Sequence, residues 1–178
     1  NISNPISDAL SNLGEFFRIN TQSSNYFIPL KDEICQTRLY TDILKLRYDE
    51  LFDVIWEVED GLLDASVIKI TMQPFIENAV YHGIKPKGSG TIKIKVKLEN
   101  EKLLVNIVDD GIGMSREKLN DLRSSLEADY KESDSHLGIY NVYRRYKIVF
   151  GDECRIQVQS KENEGTSVKL SFPFTSIS

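Results

Sequence analysis

The sequence predicts an α+β fold, a two-layer α/β sandwich in which a mostly antiparallel mixed sheet carries helices on one face. Three observations predict it. Residues 91–98 alternate strictly, with Ile92, Ile94, Val96 and Leu98 on one side and Thr91, Lys93, Lys95 and Lys97 on the other. Such alternation marks a strand with one wet face, as in an antiparallel sheet covered on one side only. Residues 103–108 are more apolar and therefore more central, and the turn Glu99-Asn100-Glu101 leads into them. Finally, residues 155–160 and 166–172 alternate as two further strands around a turn at 161–165. Between these strand blocks, residues 138–150 repeat at helical spacing.

That last helix gathers Ile139, Val142, Tyr143, Tyr146, Val149 and Phe150 on one arc and ends at Gly151, a suitable C-cap. Towards the N-terminus, Ile6, Leu10, Leu13 and Phe17 have helical spacing within residues 6–20, and TQSSN reads as a loop. Residues 30–48 are again helical, with Ile34, Ile43 and Leu44 among the charges Lys31–Asp32 and Lys45–Asp49, which read as a solvated face. Residues 51–58 form a strand and Glu59-Asp60-Gly61 a turn, and residues 85–90, KPKGSG, a flexible loop. The expected division is a helical segment at 1–48 and the sandwich at 49–178.

At 178 residues, 40% hydrophobic and 28% charged, the chain has the makings of a soluble globular domain with an appendage. A net charge of −5 argues against non-specific nucleic-acid binding, which needs a basic surface. No apolar run reaches the ~18 residues of a membrane span, and no signal peptide opens the chain. Cys35 and Cys154 lack zinc-site spacing, so a reducing, cytoplasmic setting is expected. The start, NISNP, lacks an initiator Met, which leads us to expect a piece of something longer.

Three motifs carry chemistry. In QPFIENAVYHGI (73–84), projection at 100° per residue puts Phe75, Ile76, Ala79, Val80 and Gly83 on one arc. Glu77, Asn78, Tyr81 and His82 fall on the other. Pro74 fits the first turn. Ordinary solvated faces are rich in Lys and Glu, and this one has no Lys. The Asn78 amide oxygen suits a magnesium ion that keeps most of its waters and bridges nucleotide phosphates. Glu77 suits a general base, while His82 suits either a phosphate contact or a scaffold. DDGIGM (109–114) places Asp109 at a strand end, able to accept a hydrogen bond from an exocyclic amine, with Gly111 and Gly113 admitting a flat ligand close to backbone. Read alone it is equally a hairpin turn. HLGIYNVY (136–143) opens a helix at Gly138, whose free N–H groups suit phosphate; read alone it is simple helix initiation. There is no P-loop and no dinucleotide fingerprint.

In this order the three motifs resemble the ATP-binding (Bergerat-type) fold of sensor histidine kinases, gyrase-type topoisomerases, Hsp90 chaperones and MutL-type repair proteins. QPFIENAVYHG resembles the N box, DDGIGM the first glycine box, HLGIYNV the second and EGTSVKLSFP the closing strand. More narrowly, the N box with its following GIYNVYRRY helix is similar to LytS/YesM-type sensor histidine kinases. Residues upstream of 49 are similar to the end of that family's dimerisation and phosphotransfer region.

The resemblance implies Glu77 as catalytic acid–base, Asn78 as magnesium ligand and Asp109 holding the adenine amino group. Gly111 and Gly113 would shape the adenine pocket, and Thr166 would lie near the base through a water. Gly138 and Asn141 would lie near the phosphates, His82 would either contact them or buttress the site, and residues 114–137, polar and with little periodicity, would form the mobile ATP lid. It further implies ATP and Mg2+ as ligands, an upstream phosphoacceptor histidine, a response regulator partner, a homodimer and an upstream membrane-anchored sensor. Two departures stand out. The second glycine box has His136 where its first glycine is usual, and the only histidines are His82 and His136, so the acceptor is expected upstream. Two alternatives stay open: a nucleotide-binding regulatory module descended from a kinase, and an ATPase of the same superfamily.

Overall fold

The structure is a computed structural model that describes residues 26–127 and 137–176. Seven strands and four principal helices appear in the order β1 (Phe27–Pro29), α1 (Leu30–Arg47), β2 (Phe52–Val58), β3 (Ser66–Ile68), α2 (Gln73–Asn78), β4 (Gly90–Glu99), β5 (Lys102–Asp109), α3 (Arg116–Glu127), α4 (Leu137–Phe150), β6 (Arg155–Lys161) and β7 (Gly165–Pro173). Five strands form one sheet in the order β2-β4-β5-β7-β6. Its β4–β5, β5–β7 and β6–β7 pairs are antiparallel, and the edge pair β2–β4 is parallel. A parallel pair needs a long crossover, and the chain uses that crossover to carry α2.

One face of the sheet is dry. Ile92, Ile94 and Val96 of β4, Leu103, Val105 and Ile107 of β5, and Val168, Leu170 and Phe172 of β7 are buried, with Phe75, Ile76, Val80, Ile139, Val142 and Tyr146 of the helical layer against them. The other face is wet, and there Lys93 and Lys95 both pair with Glu57 of β2. The two-layer sandwich is therefore as expected, except that Leu98 runs past the helical cover and is exposed.

Several local features differ from expectation. The short strands β1 and β3, paired from Phe27–Ile68 to Pro29–Ser66, have too few residues for alternation to reveal them. Lys31 pairs with Asp64 and Lys45 with Asp53, across tertiary contacts. Neighbours one apart on a helix, such as Lys31 and Asp32, do not face each other. Residues 85–90 are not a loop throughout: Lys85–Lys87 make a helical turn and Gly90 already opens β4. The polar stretch after Met114 contains α3. Ser115 starts it, its backbone carbonyl accepting from Leu119 N–H at 3.0 Å and its hydroxyl from Lys118 N–H at 3.3 Å. Leu119 and Leu122 are buried beneath it. The expected helix at 6–20, the loop at 21–25, His136 and the rest of the lid stretch from 128 to 136 lie outside the described residues.

α1 is tied to the sandwich at its start and along its length. Pro29 supplies no side-chain cap; instead the N–H groups of Leu30 and Lys31 donate to Ala65 O at 2.7 Å and Leu63 O at 2.9 Å. Further along, the buried Glu33 carboxylate accepts from the N–H groups of Ile70 (3.0 Å), Thr71 (2.7 Å) and Met72 (2.8 Å), immediately before α2.

Candidate functional site

The site forms where the helical layer meets the ends of β5 and β7. Asp109 ends β5 and is paired in register with Thr166 of β7 and Ile92 of β4. Its carboxylate is almost wholly buried, and Oδ1 accepts from Gly111 N–H at 2.9 Å. Burial pushes the Asp109 carboxyl up to about 6; hydrogen bonds from the backbone of Gly111 and Thr166 oppose that rise, and Asp110 nearby adds to it. A buried acceptor of this kind on a cavity wall seeks a donor from a ligand.

The glycines here make room. A Cβ on Gly111 would lie 2.6 Å from Gly83 O and closer still to other Gly83 backbone atoms, so backbone packs directly on backbone. Ile112 N–H then donates to Gly83 O at 3.0 Å, stitching the turn to the helix. Gly113 has φ +65°, and a side chain there would strike the Lys161 carbonyl.

α2 supplies the opposite wall. Phe75, Ile76, Ala79, Val80 and Gly83 are buried, while Glu77, Asn78 and Tyr81 are half-buried and His82 is exposed, so the two-face division holds. It holds although the helix changes pitch. Residues Ala79–Ile84 continue α2 as a π-helix, with wider turns than the 100° projection assumes. Asn78 Nδ2 donates to Pro74 O at 2.9 Å. Only the NH2 group can meet a carbonyl this way, so the amide oxygen is the atom left for a ligand.

These walls enclose a cavity of about 640 Å³ lined by Asn78, His82, Asp109, Gly113 and Thr166, with Ile107, Ile139 and Val168 as its apolar floor. That is a small-molecule volume. Five of the nine sequence-predicted site residues thus share one cavity; Glu77, Gly111, Gly138 and Asn141 do not line it. Gly111 acts from behind, by packing. Gly138, at the start of α4, packs beside Pro74 and Asn78: a Cβ there would lie 3.4 Å from Asn78 Nδ2. Asn141 is exposed on α4. Glu77 turns toward α1, where Oε1 accepts from Tyr40 Oη at 2.6 Å and from Gln73 Nε2 at 3.3 Å.

Met114, Lys118, Asp121, Ser124 and Ser125 also line the cavity, from the stretch expected to form the lid, though none was singled out individually and their helix, α3, was not foreseen. The signal that would have found them is Leu119, Leu122 and Leu126, spaced as one face of a helix after a Ser cap. A wider groove of about 850 Å³ between α3, α4 and β6 contains none of the predicted residues. Among the described residues no cluster of three or more His, Cys, Asp or Glu could hold a metal. The Asn78 amide oxygen, left open by the bond to Pro74, has the chemistry of a ligand to a hard cation that phosphates and water otherwise hold.

Comparison with known proteins bears on the family and the fold. The profile described as "Histidine kinase-, DNA gyrase B-, and HSP90-like ATPase" matches residues 64–176, and one described as "Histidine kinase" matches residues 2–52. The sensor protein kinase HptS of Staphylococcus aureus (strain USA300) is 29% identical over 163 residues, covering 92% of this chain and 31% of that protein. An uncharacterized sensor-like histidine kinase of Staphylococcus epidermidis is 27% identical over 164 residues, 92% of this chain and 32% of the relative. The chain thus spans about a third of the length of these curated relatives. Among solved structures, the nucleotide-free catalytic domain of histidine kinase ThkA superposes with a TM-score of 0.59 at 17% identity, covering 85% of this chain and 97% of that one.

Proposed function

Because the chain belongs to the histidine kinase-, DNA gyrase B- and HSP90-like ATPase family and has the fold of a histidine kinase catalytic domain, we propose that it is the ATP-binding catalytic part of a two-component sensor histidine kinase. It holds Mg-ATP in the 640 Å³ cavity and presents the γ-phosphoryl group to a histidine on an upstream segment. The phosphoryl group then passes to an aspartate of a response regulator. The observation that carries this is the Asp109 carboxylate, buried in the wall of the cavity and held there by backbone N–H groups, Gly111 among them.

In this reading Asp109 accepts the adenine amino hydrogen, and Thr166, its register partner, approaches the same ring through a water. Gly111 and Gly113 keep that pocket shallow enough for a flat base. Asn78 would contribute its amide oxygen to magnesium, whose chemistry is to neutralise phosphate charge. His82, on the cavity wall, would serve the phosphates together with Gly138 and Asn141 of α4. Glu77 faces α1, away from the nucleotide cavity, and so suits a base that takes the proton lost by the attacking imidazole. In that transfer a nitrogen–phosphorus bond forms, the bond from Pγ to the bridging oxygen breaks, and ADP leaves.

We assign residues 1–48 to the end of the dimerisation and phosphotransfer region and 49–178 to the catalytic domain, supported by the separate match over residues 2–52. The parent protein would be a homodimer with an upstream membrane anchor. Among the described residues no helix is long and apolar enough to cross a membrane.

The test is phosphate transfer. A longer protein carrying the upstream segment, incubated with γ-labelled ATP, is expected to acquire acid-labile, base-stable phosphate that a response regulator then removes. The present chain alone is expected to bind ATP without labelling. Binding without labelling in the longer protein would favour a regulatory module instead.

A further inference from the structure

We propose that Tyr40 of α1 is a positioning residue for Glu77, aiming its carboxylate at the phosphoryl acceptor. The inference rests on the assignment of Glu77 as the base, and extends it to an element outside the boxes that the sequence marks.

The geometry is specific. Tyr40 Oη donates to Glu77 Oε1 at 2.6 Å, a short bond of the charge-assisted kind. Gln73 Nε2, one turn before Glu77 on α2, reaches the same oxygen at 3.3 Å. Two donors on Oε1 hold the carboxylate against rotation, and among the described residues no donor engages Oε2. That oxygen is the one left to take a proton. Burial, and the neighbouring Glu77 carboxylate, hold the Tyr40 hydroxyl far above the ordinary tyrosine range, so it stays a proton donor wherever the protein is folded.

Tyr40 is itself held in place. Two helical turns before it on the same face of α1, Glu33 accepts the three N–H groups of Ile70, Thr71 and Met72. Those residues lead directly into α2. The helix bearing Tyr40 and the helix bearing Glu77 are therefore pinned at Glu33 and joined again at Tyr40, which fixes their register. Shortening either contact by a methylene would move the carboxylate, and a misplacement of ~1 Å can cost ~100-fold in rate.

The experiment is a double-mutant cycle on the longer protein with its acceptor segment, read as single-turnover labelling by γ-labelled Mg-ATP. Tyr40→Phe keeps the ring and its packing, and binding of a non-hydrolysable ATP analogue reports that the site is folded. We expect Tyr40→Phe to slow labelling roughly tenfold, with analogue affinity changed by less than about twofold. In a Glu77→Gln background Tyr40→Phe should have no further effect on the residual rate, because the group it acts through is gone. A wild-type rate for Tyr40→Phe, a full additive loss in the Glu77→Gln background, or an equal loss of analogue affinity would each overturn the proposal. If Glu77→Gln itself labels at the wild-type rate, the assignment of the base fails and this inference fails with it. A slow Glu77→Gln beside a fast Tyr40→Phe overturns this inference alone.

Discussion

A methyl group placed on Gly83 would lie 2.6 Å from Asp109 Oδ1. The helix that carries Asn78 and the strand that ends in Asp109 therefore meet with no space between them, and the carboxylate is aimed by that contact. Gly83→Ala should turn the Asp109 side chain and part the two elements. We expect a loss of about 1–3 kcal/mol in stability and at least a roughly tenfold loss of ATP-analogue affinity, at 1.4 kcal/mol per decade. Denaturant melts and calorimetry measure the two effects separately.

Asp109 also gives the protein a pH signature. Burial pushes its carboxyl up to about 6. Because the folded-state value lies above the unfolded one, near 4, the favourable contribution of this group is fully present below about pH 4. It is lost as pH rises through about 6. Asp109→Asn removes that loss. The variant should be more stable than wild type at pH 7.5, by up to about 3 kcal/mol, and should show no such gain at pH 4. It should also bind ATP analogue weakly. Wild-type affinity should fall as pH drops from about 7.5 to 5, beyond any fall in the variant, as the charged acceptor is titrated. Melts and titrations of both proteins across that range check each part.

Glu33 satisfies three backbone N–H groups at once, including that of Ile70, whose φ of +58° is rare for a β-branched residue. Arg145 completes the clamp by donating to Lys69 O and Ile70 O, each at 2.6 Å. Glu33→Ala leaves those N–H groups without their acceptor and releases the strained turn. We expect a loss of about 3 kcal/mol, visible as a lower denaturant midpoint.

Tyr146 is fully buried, and its hydroxyl accepts from Ile68 N–H at 3.0 Å. Thr71 Oγ1 donates to Ile68 O, so the 2.8 Å contact between Tyr146 Oη and Thr71 Oγ1 has the tyrosine as donor. Tyr146→Phe keeps the ring stacked among Phe150 and Phe172 and deletes only the hydroxyl. The expected cost is about 1–2 kcal/mol, with ATP-analogue binding unchanged.

Local pattern made much of this molecule legible. Lys93, Lys95 and Lys97 alternating with Ile92, Ile94 and Val96 reveal one-sided burial, because side chains on a strand have a period of two. The DDGIGM turn and the polar arc of QPFIENAVYHGI were readable for the same reason, each within one element. What escaped depends on distance along the chain. Glu33 and Tyr40 look like residues of a solvated helix, since their partners lie 37 to 39 positions away. The π-helical stretch at Ala79–Ile84 leaves no mark on composition, and it sets where His82 and Gly83 fall. α3 escaped because its outer face is uniformly polar, and only Leu119, Leu122 and Leu126 betray its inner one.

Titration calorimetry reads whether this cavity binds Mg-ATP through Asn78 and Asp109. A non-hydrolysable ATP analogue is titrated into the wild type and Asn78→Ala, each with magnesium and with chelator. Magnesium is expected to tighten wild-type binding roughly tenfold or more, and Asn78→Ala to lose that gain, since the substitution removes the one side chain assigned to the ion. Equal, magnesium-independent binding by both proteins would contradict that assignment.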